Sequence, residues 1–426
     1  MTAEVAIANA SAIALAADSA VTIGDQKIYN SALKLFALSK VAPVGVMVYG
    51  NADLMDVPWE TLIKTYRKRL GGKTHERLEE YAQDFVAYLN DNPEIFPAES
   101  QKRWLLGNVA AYYRLIRDEF FEEIHPILKE KGEVDASEVS KTLSRVVGEH
   151  HAELTKEEFA EGMTEDFSAN LRSKYFDDFV ALRQNVFEKV RVSGAVATRL
   201  YDIAAHIHTK QIFSSSVSGL VIAGYGEVEI YQSIITFNVE GVIENRLKYA
   251  RNKDKTHTIQ AGNECRIIAF AQEDMVATFM NGVNPQVLYF IESYLSNVFN
   301  RLPELLGSEK FSSDDKKRFK FQVARLLRGF FEQFGEHLRD EQAHPVLRMV
   351  TVLPKDELAA MAEALVNLTA FKRKITESME TVGGPIDVAV ISKGDGFIWV
   401  KRKHYFPAEL NQHFFATYFR GISDGN

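Results

Sequence analysis

Thr2, Asp18 and Lys34 stand near the start of the chain at two equal intervals of sixteen residues, in strand-like sequence. If Met1 is removed, Thr2 carries a hydroxyl nucleophile and a free amine on one residue. A threonine hydroxyl alone is a weak nucleophile, and its own α-amine can act as the base, directly or through one water. An ammonium at Lys34 disfavours a second positive charge on that amine, and a carboxylate at Asp18 keeps Lys34 charged and oriented. Residue types and roles agree with hydrolysis of an amide. Taken singly, each residue also reads as an ordinary terminus, a turn aspartate and a solvated surface lysine. By background composition, the three types meet at three fixed positions at roughly one in 10⁴.

The elements around them read as strands. Val5 to Ala8, a turn through Asn9-Ala10-Ser11, the apolar run to Asp18 and a strand rising to Gly50 form nearly continuous apolar sequence. Such runs predict strands covered on both faces, hence a sheet between other layers. From Val57 to about Gln211 the period becomes helical, with Trp59 to Leu70, Tyr81 to Leu89 and Trp104 to Ile116 amphipathic. Tyr175, Phe179, Leu182, Val186 and Val190 share one helical face. Asp135-Ala136-Ser137-Glu138 signals a helix start. Strands resume at Gly219 to Ala223 and Glu229 to Phe237, with Asn238-Val239-Glu240-Gly241 read as the turn into Val242 to Tyr249. Arg266 to Ala271 is a short strand before helices from about Glu273 to Leu306. A basic amphipathic helix follows Ser312, and another begins near Pro354 with Leu358, Met361, Leu365 and Leu368 on one face.

Composition sets broad bounds. With 426 residues, 46% hydrophobic and 25% charged, the chain is long enough for two cores, or one core with a sizeable insertion. The net charge of 50 − 58 = −8 argues against nucleic acid and anionic membranes as partners. Phe371-Lys372-Arg373-Lys374 and Lys401-Arg402-Lys403-His404 read as solvated element ends. The single Cys265 excludes an intrachain disulfide and suits a reducing cytoplasm. The run from Val5 to Ala17 lacks the basic start of a signal peptide, and no run reaches 18 apolar residues. The expected location is cytoplasmic. His150-His151 reads as part of a solvated helix rather than a metal site, and Gly224-Tyr225-Gly226 lacks the glycine and helix start of a phosphate loop.

Three ordered stretches resemble the proteasome β-subunits and their bacterial ring-protease relatives, which are amino-terminal-nucleophile hydrolases. The first runs from Ala12 to Ser19, through Lys34-Leu35-Phe36, to Val46-Met47-Val48-Tyr49-Gly50. The second is Ser218 to Tyr225, and the third is Gly383 to Ile391 with Asp395-Gly396. The resemblance implies an α+β fold, a four-layer α-β-β-α sandwich, here with a large all-helical insertion. It implies core segments at 1–57, 212–304 and 349–426, a helical insertion at 58–211 that includes a core helix pair, and a helical extension at 305–348. It gives Gly50 the role of oxyanion donor, and lines a substrate pocket with Val21, Ala32 and Val48. It also implies a threonine-type peptidase acting on peptide or protein, needing no metal or organic cofactor, in a homo-oligomer with a ring and an unfoldase partner in prospect.

The sequence departs from that pattern. Met379 and Val382 stand where the family places polar residues that orient the terminal amine and hydroxyl, with Ser378 and Glu380 as neighbours able to substitute. Phe270-Ala271-Gln272 replaces an expected glycine-serine-glycine turn. Two further readings therefore stand beside the peptidase: a catalytically silent scaffold or assembly protein, and a hydrolase of small amides.

Overall fold

The computed structural model describes residues 2–23, 27–30, 32–92, 94–260, 264–305, 312–375, 383–413 and 416. The chain begins with strands β1 (Ala3–Asn9), β2 (Ala12–Ala17), β3 (Val21–Ile23), β4 (Lys27–Tyr29), β5 (Leu35–Ala37) and β6 (Val44–Gly50). Two short strands, β7 (Asp53–Leu54) and β8 (Val57–Pro58), lead into α1 (Trp59–Leu70) and α2 (Leu78–Asn90). Five helices follow: α3 (Ala98–Lys131), α4 (Ala136–Lys156), α5 (Glu165–Lys174), α6 (Phe176–Phe187) and α7 (Gly194–Thr209). Then come β9 (Ser218–Gly224), β10 (Ser233–Ile243), β11 (Arg246–Arg251), β12 (His257–Thr258) and β13 (Arg266–Ala271). Helices α8 (Asp274–Asn281), α9 (Pro285–Leu305), α10 (Ser313–Leu338), α11 (His344–Val352) and α12 (Lys355–Ile375) precede β14 (Asp387–Ser392) and β15 (Gly396–Lys401).

The strands form two main antiparallel sheets, ordered β13-β1-β2-β14-β15 and β11-β10-β9-β6-β5. Strand alternation sends Ala6 and Ala8 of β1 to one side and Ala3, Val5 and Ile7 to the other. The first side packs on the second sheet, through Ile13, Leu15, Met47, Val221, Phe270 and Ile391. The other side packs under α11 and α12, through Val350, Leu358 and Leu365. Trp59, Tyr66 and Phe85 of α1 and α2 cover the outer face of the second sheet against Val44, Val46 and Leu220. Both faces of the central strands β1, β2, β6, β9 and β14 are thus dry, which is why these strands are apolar without alternation.

Helices α3 to α7 enclose a core of their own, with Tyr113, Phe120, Phe179 and Leu200 inside it, joined to the sheets at Trp104 and Ile243. The face expected around Phe179 and Val186 is buried, but α6 stops at Phe187, and Tyr175 is its cap residue. Ser312 caps α10 with a reciprocal bond to Asp315. Among the described residues, no helix is long and apolar enough to cross a membrane.

One turn differs from expectation. Strand β10 runs straight through Asn238 to Gly241, and the chain reverses at Glu244 and Asn245, whose φ angles are +50° and +60°. That is the left-handed pair a two-residue hairpin requires. Gly241 is there for space, since a Cβ would sit 2.6 Å from the Trp104 ring. Glu240 is buried at a register shift in the ladder and pairs with the buried Lys248 at 2.6 Å, whose ammonium also donates to the carbonyls of Ile207 and Ile212.

The other sequence features have plain structural roles. Cys265 is buried and donates to the Leu347 carbonyl at 3.2 Å. His150 bonds Glu119 and Tyr112, whereas His151 faces Asp202. A Cβ on Gly224 or Gly226 would collide with the backbone of Pro43 or Glu76, so these glycines permit close packing of chain on chain.

Candidate active site

The β1–β2 hairpin positions the first carboxylate. Its register pairs Glu4 with Ala17 and Asn9 with Ala12, so paired numbers sum to 21 and Asp18 falls opposite Ala3. Asp18 N–H donates to the Ala3 carbonyl, and Ala3 N–H donates back to Asp18 Oδ1, each at 3.1 Å. The other oxygen, Oδ2, accepts from Ala20 N–H at 3.2 Å and Gly383 N–H at 3.0 Å. Lys34, immediately before β5, completes the shell with Nζ at 2.5 Å from Oδ1. Asp18 is fully buried, and four donors satisfy it, which is what a carboxylate needs away from water.

Thr2 therefore stands one residue from the backbone that clamps Asp18. It is buried, and Oγ1 has no hydrogen-bond partner among the described residues. The glycine pair secures the arrangement from the other side. Ser19 N–H donates to the Gly383 carbonyl, and Gly384 has φ +77°, with any Cβ only 2.7 Å from Asn30 Cβ.

The remaining expected positions lie at different distances from this centre. Val48 N–H donates to the Lys34 carbonyl at 2.9 Å, while its side chain belongs to the apolar core under α1 and α2. Ala32 is half-buried and tied through its N–H to the Ser19 carbonyl, and Val21 is half-buried at the start of β3. Gly50 is exposed at the end of β6 with φ +83°, paired with Ser218, two residues beyond the residue that bonds Lys34. Met1, Ser378, Met379, Glu380 and Val382 lie outside the described residues. Ala271, in the segment that replaced the glycine-serine-glycine turn, has the left-handed φ of +63°.

Two groups escaped the sequence reading. Glu4 shares a strand face with Thr2, its side chain is fully buried, and Oε1 lies 3.6 Å from Lys34 Nζ. Among the described residues, neither carboxylate oxygen has a hydrogen-bond partner. Burial, reinforced by the Asp18 charge and opposed by Lys34, pushes its pKa up to about 8; the Thr2 hydroxyl and Lys34 favour its charged form without meeting hydrogen-bond geometry. The available signal was one carboxylate inside the apolar run Ala3 to Ala8. The second group is Lys403, read as solvated but mostly buried and bonded at 2.8 Å to Asp387, the residue that pairs with Ala17 next to Asp18. Burial lowers the Lys403 pKa against the pull of Asp387, and the nearby Lys34 ammonium adds to the lowering. Among the described residues, no group of three or more His, Cys, Asp and Glu side chains is placed to hold a metal ion.

Comparison with known proteins gives a limited result. No family model matches the chain, and no curated protein matches it. Similar solved structures include Anbu (ancestral beta-subunit) from Yersinia bercovieri, at 10% identity and TM-score 0.30 over 99% of this chain and 94% of that one. An Anbu (Gly-1) mutant from Hyphomicrobium sp. strain MC1 is 9% identical at TM-score 0.30, over 100% of this chain and 94% of that one. A helical assembly of the Anbu complex from Pseudomonas aeruginosa is 9% identical at TM-score 0.31, over 100% and 97%. Identities near one in ten and superpositions this loose do not make a family, so the assignment to the proteasome β-subunit hydrolases drawn from the three stretches is withdrawn, and what can be said of the chain's chemistry rests on the Thr2 cluster itself.

Proposed function

We propose that the Thr2 cluster hydrolyses amide bonds, with Thr2 as nucleophile once Met1 is removed. The observation that carries this reading is the buried Asp18–Lys34 ion pair, built onto the backbone of Ala3 beside a buried hydroxyl that has no partner among the described residues. In the proposed reaction Thr2 Oγ1 attacks the amide carbon and its proton passes to the Thr2 α-amine. The C–N bond then breaks as that proton is delivered to the leaving nitrogen, and an ester remains on Thr2. Water, deprotonated by the same amine, cleaves the ester and restores the hydroxyl. Lys34 holds the amine neutral, Asp18 holds Lys34, and a backbone N–H such as that of Gly50 stabilises the oxyanion. The substrate class is a peptide or a smaller amide.

The rival reading is a silent scaffold, and the 4% exposure of Thr2 favours it, because a nucleophile must be reached. A homo-oligomer belongs to either reading, supported by the exposed Tyr289, Phe290, Phe321 and Leu326 on α9 and α10; light scattering of the purified chain tests it.

Intact mass and amino-terminal sequencing, followed by labelling with a peptide epoxyketone that needs both a hydroxyl and an adjacent amine, decide between the two. Loss of Met1 and labelling at Thr2 are expected. Retained Met1, an acetylated Thr2, or a free Thr2 that stays unlabelled in folded protein supports the scaffold.

A further inference from the structure

Glu4 is used by nothing in the reaction just described, yet its placement is costly. Its cross-strand neighbours on the same face of the sheet, Ala17 and Phe270, offer its carboxyl no hydrogen bond. Among the described residues, Thr2, Lys34 and Asp18 are the polar groups that act on it, and Lys34 already gives its short contact to Asp18. On the facing sheet stands Tyr49, whose pKa is raised by burial and then by the Glu4 and Glu273 charges, so it stays neutral. Lys255, over the Tyr49 and Phe270 rings, is paired with Glu273. The neighbouring Lys403–Asp387 pair is neutral as a unit, so among the described residues Glu4 and Asp18 stand as two carboxyls against the Lys34 ammonium. With both carboxyls ionised, a net negative charge is buried, and among the described residues no hydrogen-bond donor holds the Glu4 share of it. The cluster is relieved if Glu4 keeps a proton, or if a second cation forms beside it, and the candidate second cation is the protonated α-amine of Thr2.

We propose that Glu4 is a positioning residue of the Thr2 site: as a neutral acid it leaves the Lys34 field undiminished at the terminal amine, and as a carboxylate it cancels that field and returns the amine to its protonated, non-basic form. The inference rests on the reading of Thr2 as nucleophile. Glu4 and the amine then titrate as a coupled pair, and the pH at which Thr2 becomes reactive belongs to both. The elevated pKa of Glu4 accords with this arrangement.

The test compares wild type with Glu4→Gln, and with Glu4→Met should Gln disturb the fold, using full-length protein and circular dichroism as control. Epoxyketone labelling of Thr2 is followed against pH, and the carbonyl stretch of a neutral buried carboxyl is followed by infrared difference spectroscopy. A permanently neutral residue cannot cancel Lys34, so Glu4→Gln is expected to switch labelling on about one pH unit lower, about tenfold faster on the acid side of the wild-type midpoint. The infrared band is expected in wild type near about pH 6 and absent in Glu4→Gln. An unchanged labelling profile would make Glu4 merely structural, and labelling lost at every pH would make it a required carboxylate; either overturns the proposal. A missing infrared band overturns it whether or not Thr2 reacts. Wild type that is never labelled, with the band present, instead removes the hydrolase reading and the positioning role with it, leaving Glu4 as a buried neutral acid.

Discussion

Lys34 Nζ lies 2.5 Å from Asp18 Oδ1, and the same oxygen accepts the N–H of Ala3, so the ammonium is held against the backbone that begins β1. The ion pair is thereby an extension of the hairpin ladder. Its position is set by the register of β1 on β2 and by the entry into β5, which the bond from Ala32 N–H to the Ser19 carbonyl ties to the end of β2.

Lys34→Met should leave the strands in place, because Asp18 keeps three N–H donors. It should raise the pKa of the Thr2 amine and slow Thr2 labelling by about 10²–10³, equivalent to roughly 3–4 kcal/mol of barrier. Lys34→Arg keeps the charge but spreads it over a planar fork that does not fit a one-oxygen contact, so it should recover little. Labelling rates against pH check both; an unchanged rate in Lys34→Met would remove Lys34 from the mechanism.

Gly384→Ala tests the glycine clamp. The added Cβ meets Asn30 Cβ at 2.7 Å at a φ of +77°, so a loss of about 1–2 kcal/mol of stability is expected from the left-handed backbone alone. The displaced loop should also loosen the Gly383 bond to Asp18 and slow Thr2 labelling. Gly396→Ala is the control: φ is +78°, but nothing lies within 4 Å of the new Cβ. It should cost similar stability in urea denaturation and leave labelling unchanged.

Two buried groups give opposite pH slopes. Glu4 is raised from 4.5 to about 8, chiefly by burial, so the folded chain holds a proton that the unfolded chain loses; its contribution is full below about 4.5 and is lost as pH rises to about 8. His208 is lowered from 6.5 to about 4 by burial, so its contribution is present above about 6.5 and is lost as pH falls to about 4. The slopes oppose one another between about 4.5 and 6.5, where stability should be flattest. Glu4→Gln should be the more stable protein above about pH 8, by an amount on the order of 3–5 kcal/mol. His208→Phe should remove about 3 kcal/mol of acid sensitivity. Urea midpoints measured across pH check both signs; a wild-type curve still rising between pH 7 and 9 would contradict the placement of Glu4.

Much of the local structure is determined by the sequence alone, wherever one period governs a segment. The apolar period from Trp59 to Leu70 coincides with α1, and the run Arg266 to Ala271 with β13, because burial on one or both faces leaves a repeat that needs no partner to be seen. The turn at Glu244-Asn245 was hidden by the more turn-like Asn238 to Gly241. Only the Trp104 ring from α3 and the buried Lys248 explain why that stretch stays extended. The residue types and spacing of Thr2, Asp18 and Lys34 are likewise sequence facts, and the place of Asp18 opposite Ala3 follows from a hairpin register that a short turn constrains, whereas Lys34 reaches it from the entry into β5. Glu4, Asp387 and Lys403 are different. Strand alternation puts Glu4 on a face but does not say which face is dry, and a basic run near the chain end reads as solvated until Asp387 is seen beside Ala17. Their burial is decided where the two sheets close on each other. The charge balance around Thr2 is a property of that closure, because desolvation and pairing depend on everything within a few ångströms rather than on neighbours in the chain.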